Sequence, residues 1–174
     1  MNAGTFLGAN NAMSNRVKLK KSQLDYFRKL ARKSDKEIMA YLVGEVKAKD
    51  LIVIDSFEYT KDYHTQTEQQ VSWYVTEYNK VRERAEERGK SVIGYIHTHP
   101  QWDAVMSPVD YEGCVRDMHP LCGITSVNKG KTRTRFWVMD SSLPCDVIYV
   151  EEKRSSKTKR SGPEAAEAGQ DQGL

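Results

Sequence analysis

The chain reads as an α/β (α+β) domain built on a mixed β-sheet flanked by helices. Three features predict this. Short segments with strand-like alternation recur between segments of helical periodicity. The run Ser91-Val92-Ile93-Gly94-Tyr95-Ile96 is apolar enough for a buried strand. The stretch Asn128-Lys129-Gly130-Lys131 carries the turn chemistry of a β-hairpin between two later strands.

The elements follow in order. Ser22 is placed to cap a helix in which Leu24, Phe27, Leu30 and Ala31 form one apolar stripe. Lys36–Gly44 reads as a strand carrying Glu37, and Leu51–Thr60 as a second, the two forming an antiparallel hairpin around Glu45–Asp50. Lys61–Gln70 is polar and loop-like, and Val71-Ser72-Trp73-Tyr74-Val75 alternates like a strand. A helix is expected from about Thr76 to Arg88, with Val75, Tyr78, Val81 and Ala85 inward and Gly89 as its stop. After the Ser91–Ile96 run come a loop, Pro100–Met106, and a helix, Val109–Met118. Leu121–Val127, Arg133–Met139 and Asp146–Val150 are the last three strands.

The chemistry is concentrated where the apolar run ends. His97-Thr98-His99 is followed, after seven residues, by Ser107-Pro108-Val109-Asp110. Side chains at i and i+2 of a strand share a face, so His97 and His99 point the same way, as two ligands of one metal must. Asp110, beyond the loop, can return as a third ligand. Two histidines and a carboxylate leave a fourth position for water, the arrangement of a catalytic zinc. Ser107 and Asp110 have a second, structural reading. Serine is a favoured N-cap, proline suits the first helical position, and an acidic residue suits the first turn. The two readings are compatible, because a helix start is a rigid place from which to aim a carboxylate.

With Glu37-Ile38-Met39-Ala40-Tyr41-Leu42-Val43-Gly44 upstream, the chain resembles the JAMM (MPN+, JAB1/MPN/Mov34) zinc metalloproteases. Their pattern is a glutamate before Leu-x-Gly, then His-Ser/Thr-His-Pro, then Ser-x-x-Asp. Here it reads Glu37, His97-Thr98-His99-Pro100 and Ser107-Pro108-Val109-Asp110, and the resemblance covers roughly Lys36 to Val150. It implies a curved mixed sheet flanked by helices, the cytidine-deaminase-like JAB/MPN fold. It also implies one catalytic Zn²⁺ on His97, His99 and Asp110, with Glu37 as general base and Ser107 as donor to the oxyanion. Ser107 is thus a stabiliser and not the nucleophile of a Ser/His/Asp triad, in which Glu37 would have no role.

The substrate class implied is the amide bond after the C-terminal tail of ubiquitin or a ubiquitin-like protein, in a conjugate or a precursor. The alternatives are a related zinc peptidase with another protein substrate, such as a phage or prokaryotic processing peptidase, and a non-catalytic MPN scaffold. Homodimerisation or a place in a complex is open in this family. Trp102, on the loop between the ligands, is a candidate to contact substrate, and Lys61–Gln70 and Met118–Gly123 are candidate substrate-facing segments.

Composition narrows the rest. At 174 residues with 39% hydrophobic, the chain is expected to be one domain, 16–152, between a disordered leader, 1–15, and a disordered tail, 153–174. No apolar run approaches the ~20 residues of a membrane span, and no signal-peptide pattern opens the sequence, so a cytoplasmic protein is expected. Cys114, Cys122 and Cys145 match no zinc or disulfide pattern and read as buried thiols. Net charge is +3, with basic residues at Arg16, Lys18, Lys20 and Lys21 and again at Lys153, Arg154, Lys157, Lys159 and Arg160. Neither group is interleaved with aromatics, which argues against nucleic acid as a partner. His64 and His119 stand apart from any ligand pattern and read as surface residues.

Overall fold

The computed structural model describes residues 15–48, 50–139, 141 and 143–151, with the side chain of Ala48 left aside. The leader, except Asn15, and the tail with its basic run lie outside the described residues. The elements are β1 (Arg16–Lys20), α1 (Lys21–Ala31), β2 (Met39–Ala48), β3 (Leu51–Glu58), β4 (Tyr63–Gln66), β5 (Val71–Trp73), α2 (Val75–Glu87), β6 (Ser91–Pro100), α3 (Pro108–Arg116), β7 (Leu121–Asn128), β8 (Lys131–Val138) and β9 (Asp146–Val150). Seven strands form one curved mixed sheet in the order β8-β7-β6-β2-β3-β1-β9, and β4 and β5 form a separate antiparallel ribbon. Among the described residues, no helix is long and apolar enough to cross a membrane.

Each face of the sheet is covered by helices. Leu24 and Phe27 of α1 pack on Val17, Leu19, Leu42, Ile54, Ile96 and Phe136. On the opposite face, Val81 and Ala85 of α2 meet Met39, Val43 and Trp73. Cys114 of α3 meets Cys122, Ile124 and Trp137 on that side. Strand alternation accounts for this division, with Ala40 and Leu42 facing α1 while Met39 and Val43 face α2.

One irregularity decides where the histidines point. In β6, Gly94 pairs with Leu42 but Val92 pairs with Val43, so Ile93 is an extra residue. The bulge shifts the alternation by one. Val92 and Tyr95 therefore both lie on the α2 face, while Ile93 and Ile96 both face α1. His97 and His99 continue the phase of Tyr95. Gly94 also lets two strands approach closely, since a Cβ there would sit 1.8 Å from the Leu121 carbonyl oxygen.

Several expectations need correction. Arg16–Lys20 is a strand, β1, paired in parallel with both β3 and β9. Its alternating exposure hides Val17 and Leu19 between basic residues that face solvent. The α1 cap position is therefore Lys20, whose side chain does not cap the helix, and Ser22 lies inside the helix. Lys61–Gln70 is no simple loop, because Tyr63–Gln66 pairs with Val71–Trp73 and Tyr63 lies opposite Trp73. Glu37 precedes its strand rather than sitting in it, since β2 begins at Met39. Val75 opens α2 and is 73% exposed, and the buried stripe begins only at Val81.

Gly94→Ala should destabilise the fold by roughly 1–3 kcal/mol, because the methyl group must push β6 and β7 apart. Urea unfolding measures this, and an unchanged midpoint would contradict the close approach.

Candidate metal centre

The β6–α3–β7 crossover builds the site. β6 delivers His97 and His99, and α3 packs on the same side of the sheet with Asp110 of its first turn against both histidines. Nε2 of His97 and Nε2 of His99 lie 3.0 Å apart. The Asp110 carboxylate meets both, Oδ1 at 3.0 Å from His97 and Oδ2 at 3.5 Å from His99. Glu37 completes the corner, for ligand atoms of Glu37, His97 and His99 all lie within 4.8 Å of one another. His97 and Glu37 are buried, while His99 and Asp110 retain partial exposure.

The start of α3 does two things at once. Ser107 is the N-cap, its hydroxyl accepting from the Asp110 amide at 3.2 Å while the Ser107 amide donates to Asp110 Oδ2 at 2.8 Å. This is a reciprocal capping box with Pro108 at the first helical position. The Ser107 hydroxyl also donates to Oδ2 at 2.7 Å. The carboxylate that faces the imidazoles is therefore oriented by the same bonds that start the helix.

Glu37 is held through its backbone. Its amide donates to the Thr67 carbonyl at 2.7 Å, and Gln66 Nε2 donates to its carbonyl at 3.1 Å, both from the β4–β5 ribbon. Next to it, the Ile38 amide donates to the Thr98 hydroxyl at 2.9 Å, and the Thr98 amide donates to the Ile38 carbonyl at 3.0 Å. Thr98 points away from the site, yet it ties the glutamate to the strand of the histidines.

The donor set fits a divalent cation. His99 Nδ1 faces the Asp103 carbonyl at 3.2 Å. A carbonyl only accepts, so Nδ1 carries a proton and Nε2 is the atom turned toward His97 and Asp110. A backbone carbonyl behind the remote nitrogen is the usual support of a metal-ligating histidine. Two imidazole nitrogens and carboxylate oxygens converging on one point form a donor set suited to zinc and to other first-row metals.

The electrostatics of the protein's own groups are polarised to match. Burial pushes Glu37 up to about 7, with His99 opposing the rise and Asp110 reinforcing it. Burial acts against the Asp110 carboxylate too, but hydrogen bonds from His97, His99 and Ser107 hold it well below the usual range. Burial lowers His99, and its bonds to Asp110 and Asp103 more than reverse that.

A family profile described as JAB1/Mov34/MPN/PAD-1 ubiquitin protease matches residues 13–113. The chain belongs to this family. The matched span runs from before β1 into α3 and contains all five motif residues of the corner. Among solved structures, this JAB-family chain is similar to the solution structure of a protein from Desulfitobacterium hafniense. Identity is 18% and the TM-score 0.62, over 79% of this chain and 95% of that one. A solution structure from Salinibacter ruber matches at 20% identity and a TM-score of 0.49, over 79% of this chain and 93% of that one. No curated protein matches. The family includes metalloproteases, and the His97–His99–Glu37 group is one that could hold a metal ion.

Of the residues singled out from sequence, Glu37, His97, His99, Ser107 and Asp110 come together. Trp102 is 64% exposed on the loop after β6, with its amide donating to the His99 carbonyl at 3.4 Å. His64 is exposed, with its ring edge on Tyr74. His119 is a correction, because it is only 4% exposed and lies among Tyr41, Tyr78 and Tyr95. The cause is the turn that ends α3, in which the Met118 amide bonds the Val115 carbonyl and the His119 amide bonds the Cys114 carbonyl. This Schellman turn reverses the chain and carries His119 under the helix. The three cysteines are buried free thiols.

Tyr95 is the residue that sequence reasoning passed over. Its hydroxyl donates to the Asp110 carbonyl at 3.3 Å and its ring packs 5.7 Å from His97. A Cβ on Gly113 would come within 3.1 Å of that hydroxyl. Its spacing of two from His97 was the available signal.

Two substitutions test these supports. Ser107→Ala should cost roughly 1 kcal/mol through the lost cap. It should also weaken divalent-ion binding by about 10-fold or more in calorimetric titration. Unchanged affinity would detach Ser107 from the orientation of Asp110. Thr98→Val should cost roughly 1–3 kcal/mol in urea unfolding by stranding the Ile38 amide. Full stability would contradict that bond.

Proposed function

We propose that the protein is a zinc-dependent isopeptidase or peptidase of the JAMM type. It would hydrolyse the amide bond after the C-terminal tail of ubiquitin or a ubiquitin-like protein, in a conjugate or a precursor. The observation that carries this reading is the convergence of His97, His99 and Asp110 on one point with the buried Glu37 beside it. His97, His99 and Asp110 would hold the ion. Zinc at this position would supply Lewis acidity and lower the pKa of water toward ~7.

The remaining work falls to the chain's own side chains. Glu37 takes a proton from the attacking water and returns it to the leaving amine. Its burial, the bonds of its backbone to Thr67 and Gln66, and those of Ile38 to Thr98 hold its main chain beside the imidazoles. Ser107 sits next to Asp110 with a hydroxyl that can turn from the carboxylate to the oxyanion of the tetrahedral intermediate. Tyr95 packs its ring 5.7 Å from that of His97 and would help hold the imidazole in place. Trp102, exposed beside His99, would meet the substrate polypeptide from the loop side.

Metal analysis of protein purified without chelators should find about one equivalent of zinc. A panel of ubiquitin-like proteins fused at their C-termini to a reporter should yield cleavage that Glu37→Gln abolishes while the zinc is retained. Stoichiometric zinc with no fusion cleaved would turn the reading toward a binding scaffold. Absence of metal would end it.

A further inference from the structure

A cavity of about 730 Å³ opens beside the metal corner, with Glu37, His97 and Asp110 in its wall. We propose that this cavity is a specificity subsite for one bulky aromatic or aliphatic side chain of the substrate polypeptide, close to the scissile amide. The proposal rests on the peptidase reading above and adds a substrate class to it. A tail that presents only glycine at this point would leave the cavity unfilled.

The walls are rings from five places in the chain. Tyr41 of β2 lies edge-on to Trp73 of β5, with centroids 4.7 Å apart, and 5.1 Å from Tyr78 of α2. His119 closes the circle at 5.9 Å from both Tyr78 and Tyr95. Such edge-to-face clusters offer ring faces and edges that a further ring or branched alkyl group can extend. The volume is that of an ordinary ligand pocket and exceeds what a glycine backbone needs.

Three exposed apolar side chains also line the cavity, among polar neighbours such as Gln69, Gln70 and Glu112. Val75 at the start of α2, Val109 at the start of α3 and Met118 beyond its end are 73%, 75% and 88% exposed, and all three line the cavity. Of the four carboxylates in the lining, Asp110 faces the two imidazoles and Asp117 pairs with Arg116 at 3.1 Å, while Glu37 and Glu112 complete the set. An apolar occupant would gain by covering the exposed alkyl surface of Val75, Val109 and Met118.

Met118 supplies an independent argument. It occupies the left-handed position of the Schellman turn, with φ of 53°. Glycine is the residue that this position favours. The methionine side chain is almost wholly exposed, so packing within the domain does not offset the strain. What it does is set a flexible, polarisable group at the mouth of the cavity, suited to close over an incoming apolar side chain. Strain kept at a site is expected where the strained residue has a binding role.

The test uses the full-length Glu37→Gln protein, ¹⁵N-labelled, titrated with acetyl-Gly-Xaa-Gly-amide peptides in which Xaa is Gly, Leu, Phe or Lys. Phe and Leu peptides should bind roughly tenfold tighter than the Gly peptide, with shifts at Tyr41, Trp73 and His119. Met118→Gly, added to this background, should raise Tm yet weaken the Phe peptide several-fold. Equal binding of Phe and Gly peptides, a preference for Lys, or unchanged affinity in Met118→Gly would overturn the proposal. The two readings separate in the wild-type protein. Tight Phe binding without hydrolysis of any peptide or fusion would remove the peptidase and leave the subsite. Hydrolysis of Gly and Phe substrates with equal kcat/KM and equal affinity would remove the subsite and leave the peptidase.

Discussion

Two imidazole nitrogens held 3.0 Å apart against one carboxylate are the constraint around which this fold is arranged. The His99 ring has its remote nitrogen committed to the Asp103 carbonyl, which turns Nε2 toward His97 and Asp110. Lone pairs and a carboxylate brought together in a partly buried corner repel unless positive charge lies between them. A proton or a divalent cation can supply that charge. The sheet bulge at Ile93, the crossover through α3 and the cap at Ser107 all serve to hold this arrangement.

The start of α3 shows why structural and functional readings of a motif need not compete. Ser107 and Asp110 form the reciprocal cap that a helix start calls for. Those same bonds turn the Asp110 carboxylate toward His97 and His99. A loop could present a carboxylate, but it would lose more conformational freedom on binding than a capped helix does. Thr98 gives a parallel case on the other side. It faces away from the corner, and its two bonds to Ile38 place Glu37.

Much of this was legible in the residues because the decisive features are local. The β2–β3 and β7–β8 hairpins, α2, and the run from β6 into α3 follow from alternation, helical period and turn chemistry. The motif residues converge because strand parity and a helix cap are short-range rules. What escaped depends on distant partners. β1 has charged residues at every second position and becomes a strand only between β3 and β9, which come much later in the chain. The β4–β5 ribbon is polar and is anchored by Tyr63 opposite Trp73 and by bonds to Glu37. His119 looked like a surface residue because a methionine holds the turn position where glycine would have announced the reversal. Pro120 beyond it was the one local hint of the helix end.

The central claim concerns what binds the ion, and zinc K-edge X-ray absorption on the zinc-loaded protein reads that directly. The account predicts two imidazole nitrogens and oxygen ligands at about 2.0–2.2 Å, with one imidazole contribution lost in His99→Ala. A sulfur shell near about 2.3 Å would place the metal on the buried cysteines instead. Either that shell or a spectrum without imidazole scattering would contradict the account.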